Sequence, residues 1–416
     1  MTIWFSFALC KKDNTSDALY SLGAISHGNT IYDVVIRSET CIGSLFDTKL
    51  FAVDKVSLEP IDHILLDLNL AKDGDVPLND VKQFLDTAGF VYSKCLGEDD
   101  TKKKCYRLQH SLACNMDSQY CPKDQSVMDY FVNNAHMLKL HSTLTTTIKT
   151  HAVPAIRGKV IMQCSDRVEH ENTCMALISR TSARRAGTRI ASRGLDIYGN
   201  ASNTVEVETI VAYLDGARNF KYKAGSYVQV RGSAPTLWAQ TPSWLTINAP
   251  VELLSTVPDR NGAIVTAEAA FEKHHEILKA LYGDKVTYLN LLGEGMKNER
   301  GLIQVFDGLK TKNDELDYVR FDFRAHSSGS WFEGLRRDLK LDAKFSFTLV
   351  SDGQVVNAQK SVIRTSCLSS LDRTSAVQRQ LSEYAVFNML KQITSQTTTP
   401  FQSDMIGSKW VEIAND

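Results

Sequence analysis

Val362-Ile-Arg-Thr-Ser-Cys367-Leu-Ser-Ser-Leu-Asp372-Arg373-Thr374-Ser375 places a cysteine at the end of a strand-like run, with an arginine and then a threonine six residues later. Val362–Ile363 predicts the end of a strand. Leu368, Ser369, Ser370, Leu371 and Asp372 can form a compact loop. Val377, Leu381, Tyr384, Ala385 and Leu390 then fall at helical spacing. Strand, loop, arginine, helix is the order that cysteine-based phosphoryl transfer needs. Backbone N–H groups of a curled loop converge on one phosphate. An arginine closes the cradle with a planar fork. A helix start faces the anion with its positive end and favours a thiolate there. The alternative is a buried, inert thiol, because free cysteines commonly sit in cores.

The same spacing occurs at Cys174-Met-Ala-Leu-Ile-Ser-Arg180-Thr181, so in a chain with nine cysteines the bare pattern is weak. Context separates the two. Met175 to Ile178 favour an extended, buried run rather than a tight anion nest, and Cys174 is expected to be a decoy.

The chain has 416 residues, 47 basic and 48 acidic, with 43% hydrophobic and 23% charged side chains. Those proportions predict a folded protein and exclude long-range disorder. The length suits one large domain or two ordinary ones. A net charge of −1 exerts no global pull on nucleic acid, so an anionic partner must meet a local basic cluster. One such cluster is Arg180, Arg184, Arg185, Arg189 and Arg193, with no acidic residue between Glu171 and Asp196. It lacks the interleaved aromatics of a nucleic-acid patch. A solvated surface run is its ordinary reading.

The cysteines (10, 41, 95, 105, 114, 121, 164, 174 and 367) are odd in number and include no Cys-x-x-Cys pair, so neither a zinc ribbon nor a dithiol redox motif is suggested. His274 and His275 lie in a predicted helix without metal-ligand spacing. No metal and no cofactor are expected. A reducing, cytosol-facing location is the default. Met1–Cys10 is read as an opening strand rather than a leader, because Lys11, Lys12 and Asp13 follow at once. No apolar run approaches the roughly 18–20 residues that cross a bilayer.

Along the chain, Ala24–Ile25, a turn at 26–29 and Ile31–Ile36 predict a hairpin, and 43–53 continues in strand style. A helix is predicted over Asp80–Ala88 and a surface loop over 97–104. Asp129–Leu140 is read as a helix covering a sheet. Past Pro154 the spacing predicts strands at 160–163, 175–178, 200–211, 287–292 and 344–350, and a returning strand from Val355 to Ile363. Thr266–Leu281 predicts a helix stopped by Gly283. A soft boundary falls near residue 150.

The segment around Cys367 resembles the signature of the Sac phosphoinositide phosphatases, which typically reads Arg-x-Asn-Cys-x-Asp-Cys-Leu-Asp-Arg-Thr-Asn. Further blocks are similar in order: Ser179–Arg189, Arg193-Gly-Leu-Asp196, Gly199-Asn200, Asn203, Val205–Glu208, Gln229-Val-Arg-Gly-Ser-Ala-Pro-Thr-Leu-Trp238, Phe271–His274, Tyr282-Gly283, Asn290-Leu-Leu292 and Phe321-Asp-Phe323. Tyr20–Val53 is similar to that family's N-terminal subdomain. The resemblance implies an α/β protein, with a mostly β N-terminal Sac subdomain (1–150) followed by an α/β catalytic domain (151–416) that carries a cysteine-phosphatase P-loop. It implies removal of an inositol-ring monophosphate, foremost from phosphatidylinositol 4-phosphate and secondarily the 3-phosphate, without an obligatory metal. The implied partner is phosphoinositide lipid at a membrane surface. The implied location is cytosol-facing, at ER or Golgi membranes, with an anchor beyond Asp416 in a longer protein. No protein adaptor is identified.

In the mechanism this suggests, Cys367 attacks phosphorus to give a phosphocysteine. Arg373 and the N–H groups of Leu368, Ser369, Ser370, Leu371, Asp372 and Arg373 hold the equatorial oxygens. Asp372 is the candidate proton donor within the loop, an ion pair with an arginine being its competing role; water or a residue outside the loop is an equal source. Thr374 is expected either to bond the sulfur or to cap the helix. Trp238 and Asp322 are read as scaffold, and the arginine cluster, as a group, as organising the active-site face or meeting lipid phosphate. Four positions depart from the family pattern. Ser366 and Ser375 replace asparagines, Ser370 a cysteine, and Ser369 the acidic residue two after Cys367. The loss at Ser369 supports a second expectation, a catalytically weak Sac domain acting as a phosphoinositide-binding or protein scaffold. A phosphotyrosine phosphatase, which uses the same loop chemistry, is disfavoured by the other blocks.

Overall fold

In a computed structural model, the structure describes residues 20–28, 30–46, 48–61, 76–95, 106–144, 150–164, 173–185, 193–215, 221–240, 250–312, 316–326 and 331–394. The first elements are β1 (Tyr20–His27), β2 (Thr30–Leu45), β3 (Thr48–Pro60), α1 (Leu78–Thr87) and β4 (Phe90–Cys95). Short helices α2 (Leu112–Met116), α3 (Gln125–Met128) and α4 (Ala135–Ser142) follow. Strands β5 (His151–Ala152), β6 (Ala155–Cys164), β7 (Thr173–Thr181), β8 (Val205–Asp215) and β9 (Lys221–Ser233) come next. Four short strands form two small ribbons: β10 (Trp238–Gln240), β11 (Val251–Leu253), β12 (Thr256–Pro258) and β13 (Ile264–Thr266). The remainder is α5 (Ala267–Tyr282), β14 (Val286–Asn290), α6 (Lys297–Lys312), β15 (Asp317–Arg320), α7 (Trp331–Asp338), α8 (Leu341–Lys344), β16 (Thr348–Ser351), β17 (Gln354–Asn357), β18 (Val362–Cys367) and α9 (Asp372–Thr394).

One 14-stranded sheet runs in the order β15-β14-β18-β9-β8-β7-β6-β4-β3-β2-β1-β5, with β16 and β17 branching from β9. From β9 to β1 all neighbours are antiparallel. From β9 to β15 they are parallel. The architecture is therefore mixed α/β on a mostly β sheet, and the sheet is continuous through residue 150, where β4 pairs with β6.

The parallel end positions the site. Parallel strands need crossover connections, and here helices supply them. Helix α5 is capped by Thr266, whose Oγ1 accepts from Ala269 N (3.1 Å), and stops at Gly283 with φ +88°. Its apolar stripe buries Ala270, Phe271 and Leu278 with Val286, Tyr288 and Phe306. On the opposite side, α9 buries Val377, Leu381, Ala385 and Met389 with Leu177, Val207 and Tyr227. Met389 lies where a Cβ on Gly225 would be, at 2.7 Å, so the glycine lets α9 approach the sheet. Gln229 Nε2 donates to Gln378 O (2.9 Å) and Ser382 Oγ (2.8 Å), fixing the rotation of α9 about its axis.

The hairpin closes more tightly than expected: pairing continues to His27↔Thr30. The predicted helix over Asp129–Leu140 is instead a short 3-10 turn (Asp129–Phe131) and α4, because Asn134 spends its side chain bridging Leu22 O, Val153 O and Ala155 N. The strand predicted from Asn200 starts only at Val205; Asn200 is held in a turn by Asp196. The strand predicted over 344–350 is shorter, with Lys344 ending α8. The predicted return strand 355–363 is two strands: β17 pairs with β16, while β18 leaves it for the parallel sheet. Alternation of side chains cannot distinguish one strand from two that change partners. The predictions for 1–10 and 97–104 fall outside the described residues. Among the described residues, no helix is long and apolar enough to cross a membrane.

Candidate active site

Three loops meet at the carboxyl ends of the parallel strands, where open α/β sheets form their crevices. They follow β18 at Cys367, β14 at Leu291 and β15 at Phe321. Cys367 is a free, buried cysteine, 1% exposed. It stands opposite Ser233 of β9 and leads through four residues into α9. The chain turns back because Ser370 takes φ +58°. That left-handed step aims the Ser370 N–H at the sulfur, at 3.1 Å. Leu368 packs into the small cluster of Trp238, Leu292 and Leu302. Ser369 is half-buried, and its carbonyl accepts from Asn203 Nδ2 (3.5 Å). Leu371 O accepts from Ser375 N (2.9 Å) and from Thr374 Oγ1 (2.9 Å), so the Thr374 hydroxyl is turned to the backbone. Asp372, the first residue of α9, is exposed.

Arg373 is the second residue of the same helix and is oriented from outside the loop. Glu299 of α6, 1% exposed, accepts from Arg373 Nη2 (2.7 Å) and Nη1 (3.0 Å). Nη1 also donates to Leu291 O (3.0 Å). Three of the guanidinium's five donors are thereby used. Among the described residues, the edge made by Nε–H and the second Nη2–H has no partner. Burial pulls the Arg373 pKa down, but the Glu299 hydrogen bonds, with the fields of Cys367, Glu299 and Asp322, raise it above the usual arginine value.

Further arginines support the loop. Arg231 of β9 donates to Ser370 O (3.1 Å) and Ser375 Oγ (2.7 Å). Arg364 of β18 is fully buried, with donors on Gly232 O (3.0 Å) and Ser233 O (2.6 Å). Burial pushes its pKa down to about 10, partly offset by fields that include Cys367. Arg193 donates to Gln240 Oε1 (3.0 Å); burial lowers its pKa and the Cys367 field raises it.

The arginine cluster does not act as one group. Arg180 is a buried scaffold residue on β7, paired with Glu206 Oε1 (2.5 Å) and Glu208 Oε2 (2.6 Å). Its other donors reach Leu108 O (2.6 Å) and His110 O (3.0 Å), tying the sheet to the segment before α2. Arg184 donates to Ser126 O (3.2 Å) and Arg185 to Ser202 Oγ (2.5 Å). Arg189 lies outside the described residues. Cys174 is the second residue of β7 and forms a disulfide with Cys164, its register partner at the end of β6. A second disulfide joins Cys114 and Cys121. Neither pairing was suggested by cysteine spacing, since the first depends on strand register and the second on a local turn. Both sit uneasily with the reducing compartment taken as the default.

Glu299 was missed by sequence reasoning. It precedes Arg373 by 74 residues and resembles any glutamate in the first turn of a helix. Trp238 is buried as scaffold, with Nε1 donating to Ala234 O (3.1 Å). Asp322 was read as scaffold too, yet it lies beside the Arg373 anchor: a Cβ on Gly293 would meet its Oδ1 at 2.7 Å.

The SacI homology domain model matches residues 20–328, and the chain belongs to that family. The matched span ends before β18, so the Cys367 loop lies beyond it. The chain is 26% identical over 385 residues to phosphatidylinositol-3-phosphatase SAC1-B of Danio rerio, covering 89% of this chain and 61% of that protein. It is 38% identical over 216 residues to inositol-1,4,5-trisphosphate 5-phosphatase 1 of Schizosaccharomyces pombe, covering 50% and 18%. Against human synaptojanin-1 it is 32% identical over 252 residues, covering 58% and 15%. The chain thus spans less than two thirds of the length of each of these relatives.

Proposed function

We propose that this chain is a phosphoinositide phosphatase that removes an inositol-ring monophosphate through a phosphocysteine on Cys367. The observation that carries this reading is the Cys367 sulfur held by the Ser370 N–H just before a 23-residue helix, with Arg373 braced by Glu299 and one guanidinium edge without a partner among the described residues. The free edge is a fork suited to two phosphate oxygens. The backbone N–H groups of Leu368 to Arg373 and the positive end of α9 supply the remaining charge stabilisation. The sulfur attacks phosphorus in line, the inositol oxygen leaves with a proton, and water then cleaves the S–P bond.

The substrates proposed are phosphatidylinositol 4-phosphate foremost and the 3-phosphate second, the latter favoured by the printed name of the zebrafish relative. The proposed setting is the cytosolic face of ER or Golgi membranes. The proposed organisation is an N-terminal subdomain over 1–150 and a catalytic part over 151–416, sharing one sheet. Phosphate release from a panel of short-chain phosphoinositides, with Cys367→Ser alongside, is the test. Turnover of one or two lipids that vanishes in the variant is the expected result. Headgroup binding without turnover would transfer the weight to a scaffold role and to Ser369.

A further inference from the structure

We infer that Asp322, rather than Asp372, is the proton donor to the departing inositol oxygen. This rests on the phosphatase reading above.

The carboxyl groups around Arg373 differ in what they have left to give. Glu299 is consumed: its two oxygens take both Arg373 bonds, and Oε2 also accepts from Gly293 N (2.8 Å). Asp372 is exposed at the outer start of α9. Asp196 binds Tyr198 N (2.9 Å) and Asn200 N (2.8 Å) through Oδ1, and Asn200 Nδ2 through Oδ2. Of these carboxyl groups among the described residues, Asp322 is the one both near Arg373 and available. It follows β15, whose parallel neighbours are β14 and then β18, so it opens onto the same end of the sheet as Cys367. Its carboxylate lies against the Gly293 backbone, the residue whose N–H is on Glu299. Its field acts on the Arg373 guanidinium. Oδ1 is fixed by Arg324 N (3.1 Å) and Ala325 N (3.2 Å), whereas Oδ2 makes no hydrogen bond among the described residues.

The backbone around it is also held. Phe321 N donates to Asn290 O (2.9 Å), and the His326 ring stacks on Phe321 at 4.7 Å while its Nδ1 meets Asp322 O (2.9 Å). One carboxylate oxygen is therefore anchored and the other is open beside the phosphate cradle, an arrangement suited to general acid catalysis. As the S–P bond forms, the P–O bond to inositol breaks. Its electron pair takes the proton from the Asp322 carboxyl, giving the ring hydroxyl and an Asp322 carboxylate. In the second step that carboxylate accepts a proton from the water that attacks phosphorus, and the S–P bond breaks to return the thiolate.

The test compares leaving groups. Asp322→Asn keeps an oxygen for Arg324 N and Ala325 N but carries no transferable proton. Wild type, Asp322→Asn and Asp372→Asn are assayed on a phosphoinositide, whose alkoxide needs a proton, and on an umbelliferyl phosphate, whose phenolate does not. Asp322→Asn is expected to lose about 100-fold or more on the lipid, and at least tenfold less on the aryl ester. Asp322→Ser, which cannot crowd Gly293, must show the same split if the amide disturbs the fold. Equal losses on both substrates would overturn the assignment, as would a split in Asp372→Asn instead. If wild type cleaves neither substrate, the phosphatase reading itself fails, and Asp322 with it.

Discussion

Arg373 and Glu299 meet edge to edge, with Nη2 at 2.7 Å and Nη1 at 3.0 Å from the two carboxylate oxygens. Glu299 is buried, at 1% exposed, while the Arg373 side chain keeps 14% of its surface exposed. The pair's consequence is geometric: two parallel bonds to one carboxylate, with a third to Leu291 O, fix the plane of the guanidinium. Glu299→Gln should keep the fold but loosen that plane, lowering kcat/KM roughly 100-fold. Glu299→Ala should also lose about 3 kcal/mol of stability by leaving a buried cation without its partner. Kinetics and urea denaturation measure both, and unchanged kinetics in Glu299→Gln would refute the orienting role.

Gly293 is a second control point. A methyl group there would sit 2.7 Å and 3.1 Å from the two Asp322 oxygens. Gly293→Ala should therefore displace Asp322 and reduce lipid turnover at least tenfold, by loss of proton-transfer geometry. Activity equal to wild type would mean that the contact has no functional weight.

The turn at Ser370 predicts an asymmetric pair of variants. Its φ of +58° costs an ordinary residue about 1–2 kcal/mol, and its buried hydroxyl has no hydrogen-bond partner. Ser370→Gly should be neutral or stabilising and keep turnover. Ser370→Val, β-branched, should destabilise and lose activity. Thermal melts with activity assays separate these outcomes.

Stability should fall in mild acid. Burial pushes His110 down to about 4, helped by the Arg180 and Arg107 charges. It pushes His274 down to about 3, helped by Arg364, while the backbone bond to Gly199 opposes the shift. Both folded values lie below the ordinary value of 6.5, so the unfolded chain binds protons first. Their contribution is complete above about pH 6.5 and is lost as pH falls toward 4 and 3, at up to about 1.4 kcal/mol per pH unit each. Urea midpoints at neutral pH and near pH 5 should show the decline, and His274→Asn should make it shallower. A flat profile would contradict it.

The disulfides make a chemical prediction. Alkylation under non-reducing, denaturing conditions should spare Cys114, Cys121, Cys164 and Cys174 and label Cys367. Opening the Cys164–Cys174 bond should cost about 2–3 kcal/mol. Full labelling without reductant would mean that the thiols are free, as a reducing compartment implies.

The sequence by itself determined the strand, loop and helix around Cys367, the helical run and stop of α5, and the demotion of Cys174 to a strand residue. These rest on neighbours within one or two turns, where spacing and side-chain type decide the backbone. Only the tertiary structure decided what surrounds the sulfur and the guanidinium. The β17–β18 break, the Glu299 brace, the Arg180 pairing with Glu206 and Glu208, and the place of Asp322 over Gly293 arise when separate strands come into register. The sheet order that brings the ends of β14, β15 and β18 together is a property of packing. No periodicity in the chain reports which carboxylate will face which arginine across that crevice.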